Sequence, residues 1–118
     1  MDLQATLIEL AEDHLDTMRG VPWTAFAHGL RPRSTRDGET FGCEINGIYF
    51  DIGDNVRWMS KAGGDILLTC HATAPNQAAA ASVERSTVIA RPKWRLGARL
   101  RYSLQRWAAK SRKNAVTL

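Results

Sequence analysis

Between Arg95 and Lys113 the chain places seven cations, Arg95, Arg99, Arg101, Arg106, Lys110, Arg112 and Lys113, with no carboxylate among them. Cations three or four residues apart share one face of a helix, where they can follow a row of phosphates and release its counterions. Tyr102 stands beside this stripe and offers a ring on which an unpaired base can stack. Pairs such as Arg95/Arg99 and Arg106/Lys110 repel one another by about 0.2–0.5 kcal/mol each, so a run of this kind is better matched to an anion than to water. Two plainer readings compete with that chemistry. The stripe is a solvated face, or it is neutralised by an acidic face elsewhere in the fold.

A second basic cluster, Arg31-Pro32-Arg33-Ser34-Thr35-Arg36, carries three more arginines on a loop stiffened by proline. Arg31, Arg33 and Arg36 extend the anion-binding surface only if the fold brings this loop near the C-terminal cations. Otherwise they are a solvated loop.

Other chemistry is poorly provided for. His14, His28, His71, Cys43 and Cys70 occur singly, without the paired spacings that ligate a metal, so neither metal nor cofactor is expected. There is no nucleophile elbow, no phosphate-cradling glycine loop before Lys-Ser/Thr and no dinucleotide fingerprint. Asp51, Asp54 and Asp65 read as turn residues rather than as an ion site. A nucleophilic Cys43 would need His14 or His28 beside it, which only a fold can supply. Cys70 and His71 are strand neighbours and point to opposite faces. The expectation is a non-enzyme.

The elements that position these residues are legible in part. Residues 2–19 read as an amphipathic helix capped by Asp2 and closed by Gly20 and Pro22. Leu3, Leu7, Leu10, Ala11, Leu15 and Met18 share its apolar face; Glu9, Glu12, Asp13 and Asp16 lie opposite. His14 falls on the apolar side and is expected to be packed there with one hydrogen bond. Trp23–Ala27 reads as a short helical turn within a long connection. From Glu39 the period changes to two, and Asn46-Gly47 is a strong hairpin signal. Gly53-Asp54-Asn55 and Ala62-Gly63-Gly64-Asp65 read as further turns, giving strands at 41–45, 48–52, 56–60 and 66–73. Residues 76–85, rich in alanine, favour a helix, with a fifth strand as the alternative. Residues 93–110 read as an amphipathic helix with Leu96, Leu100, Leu104, Trp107 and Ala108 on its apolar face, and residues 111–118 as a frayed basic tail.

The expected fold is therefore α+β: an N-terminal helix packed on a four-stranded antiparallel meander, followed by one or two C-terminal helices, all in a single domain over 1–110. A length of 118 residues suits one domain, and 44% apolar with 24% charged residues is globular composition. No apolar run is long enough to span a bilayer, no basic leader precedes an apolar stretch, and two cysteines make no disulfide framework, so a cytoplasmic location is expected. Twelve arginines against four lysines, with sixteen alanines, suggest the GC-rich codon usage of a bacterium or phage.

Charge is segregated along the chain. Residues 1–90 hold seven Lys and Arg against all twelve Asp and Glu, whereas residues 91–118 hold nine cations and no acid. One-sided fields of this kind select partners. The favoured expectation is a small nucleic-acid-binding protein. An interaction or inhibitor module with a dipolar surface, homodimeric or not, is the alternative, and association with an anionic membrane surface the third.

Overall fold

The computed structural model describes residues 2–77, 79 and 81–93; the helix expected at 93–110 and the tail at 111–118 lie, from residue 94 onward, outside the described residues. Helix α1 spans Leu3–Arg19. Asp2 begins it in an extended conformation, and its carboxylate accepts the N–H groups of Gln4 (3.1 Å) and Ala5 (3.3 Å), which have no partner within the helix. Leu7, Ala11 and Leu15 are buried, while Glu9, Glu12, Asp13 and Asp16 are exposed, as the stripe predicts. A short helix α2, Trp23–Ala27, follows after Pro22 and inserts Phe26 into the core. Neither helix is long and apolar enough to cross a membrane.

Five strands follow: β1 (Thr35–Asp37), β2 (Phe41–Ile45), β3 (Ile48–Trp58), β4 (Ile66–Ala74) and β5 (Ala81–Ile89). They form one antiparallel sheet in which β3, β4 and β5 lie side by side. On the other flank of β3, β2 pairs its first half and β1 its second half, so the two short strands act as one interrupted edge. The β2–β3 hairpin turns at Asn46 and Gly47, both at positive φ (49° and 80°). That geometry matches the strand twist, and glycine meets it without steric cost.

Two expectations are corrected. Gly53-Asp54-Asn55 is not a turn; it lies inside the eleven-residue β3. Its local turn preference is overridden by the ladder with β4, in which Gly53, Asp54 and Asn55 pair with His71, Cys70 and Thr69. Residues 76–85 are not a helix either. The chain turns after Ala74, with the Gln77 N–H on the Ala74 carbonyl (3.5 Å), and Ala81–Ile89 runs back as β5, paired with β4 along its whole length. Helix propensity in the alanine run amounts to tenths of a kcal/mol per residue, whereas Val83, Val88 and Ile89 are β-branched and a free edge of β4 was waiting.

One face of the sheet carries the core. Leu7 and Ala11 pack on Phe50, Ile52, Ala72, Ala74 and Val83; Leu15, Phe26 and Leu30 pack on Val56, Ile66, Leu68 and Cys70. Trp23 and Trp58 close one end of this core, their rings 6.0 Å apart and their indole N–H groups on the carbonyls of Gly64 and Leu30. The opposite face is polar, with Thr69 bonded to Ser86 (2.9 Å) and Thr73 to Ser82 (3.3 Å) across the ladder.

Candidate functional site

The single buried charged residue among the described residues is Asp54, which faces α1 from the centre of β3. Its carboxylate accepts a hydrogen bond from His14 Nε2 at 2.8 Å, and the other side of the imidazole meets Phe41 edge-on at 5.4 Å between ring centroids. The break between β1 and β2 makes room for this group. A Cβ on Gly38 would stand 2.1 Å from Asp54 Oδ1, and the Gly38 N–H carries the ladder across the break by donating to the Asp54 carbonyl at 2.8 Å. Cys70 is the cross-strand neighbour of Asp54 and is wholly buried.

His14, Asp54 and Cys70 therefore come together, yet the chemistry of a thiol nucleophile is opposed at each step. Burial, and next the negative charge of Asp54, push the Cys70 thiol up to about 12, and no route leads to it from solvent. The trio fastens α1 to the sheet. Sequence reasoning placed His14 in the packed interior with one hydrogen bond, but it assigned Asp54 to a surface turn. The three aspartates of the meander do not converge: Asp54 is buried under α1, Asp51 accepts the Tyr49 hydroxyl on the open face, and Asp65 accepts the Arg91 backbone N–H at 2.9 Å.

The arginines sort into two groups. Arg36 turns inward, where its guanidinium donates to the carbonyls of Phe26 (2.8 Å) and His28 and so ties α2 to β1. In this position it acts as a strut between the two elements. Arg85 reaches Glu12 at 3.5 Å, and Arg19 reaches Asp16 at 3.5 Å. By contrast, Arg31, Arg33, Arg57 and Arg91 have no carboxylate partner among the described residues.

Those four gather at one end of the sheet, the end closed by Trp23 and Trp58. Arg33, Ser34, Thr35, Arg57 and Trp58 line one cleft of about 190 Å³ there. Across the Trp pair, Lys61, Asp65, Arg91 and Lys93 line a second, wider hollow that begins at Trp23 and Met59. Asp65 is the one carboxylate in either lining. The loop at 31–36 and the exit of the chain toward residue 94 thus lie at the same end of the sheet. Arg57, Lys61, Arg91 and Lys93 were not singled out from sequence as part of this surface, because they are scattered along the chain and only the strand register brings them to one end. Arg95, Arg99, Arg101, Tyr102, Arg106, Lys110, Arg112 and Lys113 lie outside the described residues.

A third feature is apolar. The axis of helix α1 runs over β4 and β5 and reaches β3 through side chains, which leaves a groove of about 420 Å³ between the helix and β2. Leu10, His14, Phe41, Cys43 and Ile52 line it, with Asp13 and Thr17 on its rim; Phe41 is 48% exposed. Geometry explains the gap, since a helix about 10 Å across covers about two strands spaced near 4.8 Å. Compared with known protein families, curated proteins and solved structures, the chain matches none of them.

Proposed function

We propose that this protein is a small non-catalytic nucleic-acid-binding module, in which the cation-rich end of the sheet and the basic residues 94–118 together hold a phosphate backbone. The observation that carries this reading is the gathering of Arg33, Arg57, Lys61, Arg91 and Lys93 at the end from which the chain departs toward Arg95, with Arg31 next in the chain to the Leu30 whose carbonyl holds Trp58 there. The exposed carboxylates of α1, Glu9, Glu12, Asp13 and Asp16, repel a polyanion from the outer face of the helix. Contacts to phosphate confer affinity with little sequence preference and a strong dependence on salt. Fluorescence anisotropy with labelled single-stranded and duplex oligonucleotides tests this directly. Affinity falls steeply as salt rises, and reversing two charges, Arg99→Glu with Arg106→Glu, lowers it by about a hundredfold at low salt. No binding to either substrate at about 50 mM salt ends the proposal.

A second reading rests on the groove between α1 and β2. Phe41, Cys43 and Leu10 form an apolar surface beside exposed Asp13, which suits docking of an amphipathic, cationic protein helix. A helical-peptide library selected on the wild-type chain and counter-selected on Phe41→Asp distinguishes this reading. Enriched peptides that bind both chains equally would dismiss it.

A further inference from the structure

We infer that the cleft between β1 and the end of β3 is a seat for one phosphate group, with Arg33 and Arg57 as its cations and Ser34 and Thr35 as hydroxyl donors. This deepens the nucleic-acid reading by assigning one contact of the backbone to a fixed place on the folded body. The cleft is built from two elements that the register locks together, because Thr35 and Arg57 are direct partners across the β1–β3 ladder. Paired residues point to the same side of a sheet, so the Arg57 side chain rises beside Thr35, and Ser34 and Arg33 follow at the edge. A cleft of about 190 Å³ admits a phosphate group with part of its hydration but no nucleoside.

Three further observations favour an anion there. Arg33 holds φ at 59°, a left-handed conformation that costs a non-glycine residue about 1 kcal/mol, at the position that brings its side chain to the cleft. Neither Arg33 nor Arg57 is paired with a carboxylate among the described residues, while Arg19 and Arg85 of the same body both are. No carboxylate belongs to the cleft lining; the nearest acid along β1, Asp37, pairs with Asn55 two positions further on. Arginine presents a planar fork to phosphate oxygens, and two forks with two hydroxyls can meet most of the acceptors of one phosphate.

The group held is either an internal phosphodiester or a terminal phosphate monoester, and the test separates the two. Inorganic phosphate is titrated into the full-length chain while the amide and arginine Nε resonances are followed. Oligonucleotides with and without a 5′-phosphate are then compared by anisotropy for wild type, Arg57→Met, Arg33→Met and the control Arg85→Met, which removes a cation of β5 that pairs with Glu12 away from this end. The expected result is saturable shifts confined to residues 33–35 and 57, lost in Arg57→Met. Affinity for oligonucleotides falls about tenfold in Arg57→Met and in Arg33→Met, against less than threefold in Arg85→Met, and the salt slope drops by about one. A loss shared by both oligonucleotides identifies a diester in the seat; a loss confined to the phosphorylated one identifies a monoester. Equal losses in all three variants, or phosphate shifts spread over every cation, overturn the seat. If oligonucleotides do not bind at all, the phosphate titration still decides the seat on its own, so the two proposals fail separately.

Discussion

Removing His14 exposes how much of this fold depends on one buried pair. In His14→Leu the Asp54 carboxylate, 6% exposed, loses the only side-chain partner it has among the described residues. Breaking a buried pair from one side costs about 3–5 kcal/mol, because the remaining charge keeps its desolvation penalty without compensation. Asp54→Val is milder at about 1–3 kcal/mol, since it leaves only an imidazole short of an acceptor. The double variant His14→Leu/Asp54→Val removes both polar groups from an apolar layer and should be more stable than His14→Leu alone. Urea unfolding followed by tryptophan fluorescence reads all four corners of the cycle, with Trp23 and Trp58 packed against each other as reporters. For a body of this size, each kcal/mol corresponds to about 4–8 °C in Tm, so His14→Leu should lower Tm by more than about 12 °C. Costs of the two single variants that simply add, or a loss below about 1 kcal/mol in His14→Leu, would refute the reasoning.

Gly38→Ala places a methyl group against the same carboxylate and should cost about 1–3 kcal/mol by thermal melt, with most of that loss absent in an Asp54→Ala background. Asp2→Ala leaves the N–H groups of Gln4 and Ala5 without their cap and should cost about 1 kcal/mol in urea unfolding. Arg36→Leu frees the carbonyls of Phe26 in α2 and of His28 just after it, and should cost about 1–3 kcal/mol, with faster hydrogen exchange over Trp23–His28. Cys70 supplies a pH dependence. Below about pH 8.5 the thiol is protonated in both the folded and the unfolded chain, so its contribution is complete there. Between that value and about 12 only the unfolded chain loses the proton, so stability falls as pH rises, by up to about 1.4 kcal/mol per pH unit. Urea midpoints from pH 8 to 10.5 should therefore fall more steeply for wild type than for Cys70→Ala.

Features encoded by near neighbours were legible in the residues alone. The apolar stripe of α1 and its Asp2 cap, the Asn46-Gly47 turn and the period-two runs of β2, β3 and β4 each depend on contacts within a few positions, so local physics suffices to find them. The packed position of His14 belongs to the same class, because helix periodicity alone puts it beside Ala11 and Met18. Features decided by partners distant in sequence were not legible. Gly53-Asp54-Asn55 carries turn chemistry, and the alanine run before β5 carries helix chemistry. Both became strand or strand approach because β4 offers two edges to be paired, and no local window contains that edge. The candidate site divides the same way. The basic run at 95–113 is plain in the sequence, whereas the inward turn of Arg36 and the meeting of Arg33 with Arg57 follow from register. A cation's sequence position fixes its charge, and only the pairing of strands fixes what stands beside it.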